Sequence, residues 1–157
     1  MGRNLIQDYR GVTNAGVGLW LFSLTNANIY ANRIGGDLPA NAVRLNNLDR
    51  SASGGINLFA NNEISGRTYT GNGSTGITRG LWLTGSSGFN VRDAVAIVNN
   101  TISYLPIGNN VSPSQALIYI DGAFGGSQPF DTLILLNNNL VEPVIDSVIP
   151  GGFAPLV

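Results

Sequence analysis

The chain has 157 residues, enough for one domain with a continuous core, and a formal net charge of −1 with only 11% of residues charged. It contains no His and no Cys, which excludes disulfides, zinc sites and Ser-His or Cys-His nucleophile systems within it. All eight basic residues are Arg, and so nearly neutral a chain lacks the electrostatic footprint of a nucleic-acid binder.

No run of about 20 apolar residues is present, so no transmembrane helix is expected. The N-terminus lacks the charged-then-apolar pattern of a signal peptide. The 21 Gly, the abundant Asn and the absence of Lys favour turns over helices, and no window holds a sustained helical apolar stripe. The chain reads as nearly all β.

Asn4-Leu5-Ile6 opens a phrase that returns as Asn32-Arg33-Ile34, Asn62-Glu63-Ile64, Asn100-Thr101-Ile102 and Asn138-Asn139-Leu140, at spacings of 28, 30, 38 and 38 residues. A period of roughly 20–50 residues marks a solenoid. Between these lies a second phrase: Gly18-Leu19-Trp20-Leu21, Ala42-Val43-Arg44-Leu45, Gly80-Leu81-Trp82-Leu83 and Ala116-Leu117-Ile118-Tyr119. The two alternate without exception and divide the chain into four coils, 18–41, 42–79, 80–115 and 116–157. Residues 1–17 read either as the end of a preceding coil, in which case the chain is expected to be the C-terminal part of a larger solenoid, or as an N-terminal cap that imitates the repeat.

Strand residues alternate faces. Three residues before each repeat Asn stand Ile29, Phe59, Ile97 and Leu135; five before stand Ala27, Asn57, Val95 and Leu133; two after stand Ile34, Ile64, Ile102 and Leu140. These positions point inward, with Asn57 the polar exception. In the other phrase Leu19, Leu21, Val43, Leu45, Leu81, Leu83, Leu117 and Tyr119 point inward, and Trp20, Arg44, Trp82 and Ile118 outward. Stacking would set the repeat Asn side chains about 4.8 Å apart, close enough to hydrogen-bond along the stack. Arg33 and Glu63 share one outward position on adjacent coils and should form an ion pair.

The phrases from Leu58 to Ser65 (LFANNEIS) and from Ala96 to Ser103 (AIVNNTIS) resemble the repeats of the pectin-lyase-like superfamily, over about residues 4–141. The resemblance implies a right-handed parallel β-helix of about four coils spanning residues 1–140, the first coil incomplete. It does not choose an activity, because the superfamily holds lyases, hydrolases, epimerases and phage tailspikes. Outward residues of the Asn phrase become more apolar along the chain, from Asn28 and Tyr30 through Leu58, Ala60, Ala96 and Val98 to Ile134 and Leu136. The segment 141–157 (VEPVIDSVIPGGFAPLV) is an apolar cap or trimerisation tail. Apolar outward faces mark interfaces, so Leu58, Val98, Ile134, Leu136, Val144, Ile149 and Phe153 are assigned to one. Three chains side by side would resemble a phage tailspike.

Trp20, Arg44 and Trp82 form a candidate carbohydrate-binding column, with Arg44 stacked between two indoles. Asp93 and Asp131 precede neighbouring strands and are the best pair for glycoside hydrolysis, which requires two carboxylates. Polysaccharide lyases of the superfamily use Lys or Arg bases with Asp-bound calcium, and this chain has no Lys and no Asp cluster; any cleaving site is expected in other coils. No metal or cofactor is implied. The expected function is that of a tailspike or receptor-binding fragment, homotrimeric, in the virion tail, adhering to bacterial surface polysaccharide. The alternatives are a fragment of a secreted polysaccharide-degrading enzyme, or a purely structural shaft.

Overall fold

The computed structural model describes residues 1–7, 17–38, 41–49, 55–69, 78–84, 94–107, 115–121 and 132–141. Thirteen strands fall into three sheets, all parallel. The first sheet holds β1 (Leu5–Gln7), β4 (Arg33–Leu38), β7 (Glu63–Tyr69), β10 (Thr101–Ile107) and β13 (Asn139–Leu140) in that order. The second holds β2 (Val17–Thr25), β5 (Asn41–Asp49), β8 (Thr78–Thr84) and β11 (Gln115–Asp121). The third holds β3 (Asn28–Tyr30), β6 (Asn57–Ala60), β9 (Ala94–Val98) and β12 (Thr132–Leu136). Every third strand rejoins the same sheet, so the chain visits the sheets in rotation. The protein is all-β, with no helix among the described residues, and the arrangement is compatible with a parallel β-helix.

The core follows the predicted alternation. Ile34, Leu45, Phe59, Ile64, Leu81, Leu83, Ile97 and Ile102 are completely buried. The same positions are half-exposed at one end of the stack, in Leu135 and Leu140. The small residue that opens the second phrase has a steric cause. A Cβ on Gly80 would lie 2.7 Å from the Leu117 carbonyl oxygen and 2.9 Å from Ile102 Cγ2, so no side chain fits there between the neighbouring strand and the core.

Asn57, the polar residue at an inward position, is fully satisfied. Its Oδ1 accepts the Ala27 N–H at 2.9 Å, and its amide nitrogen reaches the carbonyls of Leu24, Asp49 and Ala94 at 3.1–3.3 Å. It ties three passes of the chain together at a corner, where its amide satisfies buried backbone groups.

The repeat Asn residues form a continuous column. Asn4 Nδ2 donates to Asn32 Oδ1, Asn32 to Asn62, Asn62 to Asn100 and Asn100 to Asn138, at 2.9–3.0 Å. Each backbone N–H of the first four also donates to the next Oδ1. The second amide hydrogen reaches back to the carbonyls of Ile29, Phe59 and Ile97. Asn32, Asn62 and Asn100 are only 1–2% exposed. The residue before each rung is left-handed: Arg3, Ala31, Asn61, Asn99 and Asn137 have φ of 51–57°. Asn tolerates this conformation, whereas Ala carries a strain of about 1–2 kcal/mol. On the outer surface Arg33 Nε meets Glu63 Oε2 at 3.2 Å, as the shared register predicts, and Ser65 Oγ donates to Glu63 at 2.8 Å. Both partners of this ion pair are solvated, so it adds about 0–1 kcal/mol.

One expected register shifts by a residue. The structure aligns Ile118 with Leu81 and Tyr119 with Trp82. Ile118 therefore packs on the core and Tyr119 faces outward, the reverse of the expectation. Trp82 and Tyr119 are separated by 37 residues, while the neighbouring Asn rungs keep 38, and the difference is absorbed in the connection.

Replacing an interior rung should be far more damaging than replacing an end rung. Asn62→Leu orphans the Asn32 N–H and the Ile29 carbonyl, at about 1–3 kcal/mol each; Asn4→Leu should lower stability by under about 1 kcal/mol. Thermal unfolding followed by circular dichroism should show a Tm loss of roughly 2–4 °C per kcal/mol, so equal losses in the two variants would contradict the burial argument. Ala31→Asn should raise stability by up to about 1 kcal/mol, and an unchanged or lower Tm would remove the strain assigned to Ala31.

Candidate functional site

The second sheet carries its outward side chains on register-matched strands. Trp20 on β2 lies opposite Arg44 on β5, Arg44 opposite Trp82 on β8, and Trp82 opposite Tyr119 on β11. Parallel strands lie about 4.8 Å apart, a spacing that suits flat groups stacked along the sheet.

The Arg44 guanidinium carbon sits 4.9 Å from the Trp20 ring centroid and 4.0 Å from that of Trp82. Arg44 is thus held between two indoles, as expected from sequence. A second arginine extends the pattern: Arg79 Cζ is 4.2 Å from the Trp82 centroid and 4.4 Å from that of Tyr119. Arg79 is anchored by donating from Nη1 to Asn41 Oδ1 at 3.0 Å. The result is an alternating ladder of Trp20, Arg44, Trp82, Arg79 and Tyr119. Each ring–cation contact contributes about 0.5–2 kcal/mol, more where desolvated.

The ladder determines which aromatic surface is left for a ligand. Both faces of Trp82 are covered by guanidiniums. Trp20 has one face on Arg44, and its side chain remains 54% exposed. Beside it Phe22, 55% exposed, meets it edge-to-face at a centroid distance of 6.2 Å and an interplanar angle of 88°. The open aromatic surface is therefore the Trp20–Phe22 pair, held by Arg44 from behind. Arg79 Nε, Trp82 Nε1 and Thr84 Oγ1 on this sheet are buried without a hydrogen-bond partner. Nearby, Asn46 Nδ2 donates to the Thr84 carbonyl at 3.3 Å.

Of the residues singled out in the sequence, Trp20, Arg44 and Trp82 come together as one column. Phe22, Arg79 and Tyr119 belong with them. Phe22 follows Trp20 by two residues and so shares its face; Arg79 precedes Trp82 by three on the same strand, β8. Asp93 and Asp131 lie outside the described residues, as do Val144, Ile149 and Phe153. Among the described residues no three acids gather into a cluster able to hold a metal ion. Leu58 and Val98 are half-buried on the outward face of the third sheet, while Ile134 and Leu136 are 44% and 51% exposed.

A double-mutant cycle on Arg44→Met and Trp82→Leu should return a coupling energy of about 0.5–2 kcal/mol in thermal or denaturant unfolding. Strict additivity would mean that the stacked geometry adds nothing beyond packing. No family model, curated protein or solved structure matches the chain.

Proposed function

We propose that this chain is a right-handed parallel β-helix of about four coils that serves as an adhesion module for bacterial surface polysaccharide, in the manner of a phage tailspike. The observation that carries this reading is the open Trp20–Phe22 surface backed by Arg44. A rigid aromatic plate with one free face suits the apolar face of a sugar ring. Arg44 fixes the indole from behind, so little side-chain entropy is lost on binding.

The assembly belonging to this reading is a homotrimer packed through the outward face of the third sheet. Ile134 and Leu136 support it, since apolar side chains exposed side by side on one face of β12 are poorly placed in water. Three such modules on one axis would bind a repetitive glycan by avidity, each site individually weak. The setting would be the tail of a virion, with a secreted bacterial protein as the alternative.

Trp20→Ala should weaken adsorption to immobilised surface polysaccharide about tenfold, the effect of losing roughly 1.4 kcal/mol of stacking. Unchanged adsorption would leave a purely structural shaft as the better description. Light scattering of the unsubstituted protein should give the mass of three chains, and Leu136→Asp should reduce it toward one. A clean monomer before substitution would remove the trimer.

A further inference from the structure

The residue before each rung supplies a second asparagine column, on the outside of the corner between the third and first sheets. Asn61, Asn99 and Asn137 are exposed, whereas Asn62 and Asn100, which follow the first two, are buried. Backbone bonds hold the outer column in register: Asn61 N–H donates to the Val98 carbonyl and Asn99 N–H to the Leu136 carbonyl, each at 3.0 Å. All three residues share one left-handed conformation, with φ of 51–54°. Successive members therefore stand one strand spacing, about 4.8 Å, apart. Their side-chain amides form no hydrogen bond among the described residues.

The next outward column, two residues on, continues the same surface. Thr101 on β10 and Asn139 on β13 are register partners, and their side chains also form no hydrogen bond among the described residues. Glu63, at the same phase on β7, is neutralised by Arg33. The strip thus holds one closed ion pair and otherwise neutral groups that both donate and accept. Such groups match hydroxyls better than they match ions or apolar surface. A ligand that uses the whole column must repeat at the column's own period. An extended chain of equatorially linked pyranose rings advances per sugar by nearly the strand spacing and offers hydroxyls at each step. An axially linked chain coils and falls out of phase.

We propose that Asn61, Asn99 and Asn137 form a glycan-binding site, separate from the Trp20–Phe22 surface and independent of it. Its ligand is an extended β-1,4-linked polysaccharide lying along the stack, one sugar to each asparagine. Each amide offers a donor and an acceptor to ring hydroxyls, so binding is weak per sugar and grows with chain length. The rungs behind fix the backbone of the column, and only side-chain torsions are ordered on binding. Left-handed geometry by itself favours Asn at these positions. It does not require an amide, however: Ala31 occupies the equivalent position under strain, and Gly would occupy it freely.

Cello-oligosaccharides of increasing length are the probe, titrated calorimetrically into the full chain, with malto-oligosaccharides as the out-of-phase control. Affinity should rise about fivefold per sugar, the effect of one hydrogen bond, until the column is filled. The malto series should show no such rise. Asn99→Gly keeps the left-handed backbone without strain and should weaken cello-oligosaccharide binding about fivefold at an unchanged Tm. Unchanged binding in both Asn99→Gly and Asn61→Gly would reduce the column to a backbone requirement and overturn the proposal, as would no binding at millimolar cellohexaose. Loss on Trp20→Ala without loss on Asn99→Gly would assign the sugar to the Trp20–Phe22 surface. A change of molar mass on Asn99→Gly with sugar binding intact would make the column a contact between copies. Either result overturns this site and leaves the adhesion reading to its own test.

Discussion

The buried amide column is the constraint on which the rest of the stack depends. Each turn that carries the chain from the third sheet to the first leaves backbone N–H and C=O groups away from water. An unpaired buried group costs about 1–3 kcal/mol, so a turn repeated down the molecule requires a repeated solution. Asparagine supplies it because one short side chain offers both an acceptor and two donors. With strands at their natural spacing, each Oδ1 takes the N–H and the amide of the rung before it. The apolar residues on either side, such as Ile97 and Ile102, are then held at one depth in the core.

The rungs were legible in the sequence because the same residue recurs at the same phase, and the apolar positions around them follow from the alternation of strand faces. The left-handed residue before each rung was harder to see. It is Asn in the later rungs, where it reads as part of a doubled asparagine, but Arg3 and Ala31 carry no such mark. The register of β11 was ambiguous because Leu117, Ile118, Tyr119 and Ile120 are all apolar or aromatic, so alternation alone does not say which face each takes. Asn57 looked like an exception to the core pattern. Its role depends on carbonyls of Leu24, Asp49 and Ala94, residues dispersed in sequence and adjacent only in three dimensions.

The outward face of the second sheet obeys the same spacing with different chemistry. Flat groups one strand apart stack face to face, and alternating aromatic rings with guanidiniums turns that proximity into attraction. Sequence placed Arg44 between Trp20 and Trp82 because all three fall at one phase of the second phrase. It did not place Arg79, which stands three residues before Trp82 on the same strand and is aimed by Asn41. The ladder also removes candidate surface: a ring stacked on both sides supports its neighbours and has no face left for anything else. Such columns therefore present ligand-accessible aromatics at their ends.

Successive rungs are separated by 28, 30, 38 and 38 residues, yet the amide hydrogen bonds between them stay within 2.9–3.0 Å. Ten additional residues per circuit leave no trace in the column. Length is thus a free variable in the connections and a fixed one in the stack. A lineage carrying this architecture can lengthen, shorten or replace a surface connection without re-solving the fold, and a protein engineer can graft a segment there on the same grounds. The amide column acts as a ruler against which variation elsewhere goes unmeasured.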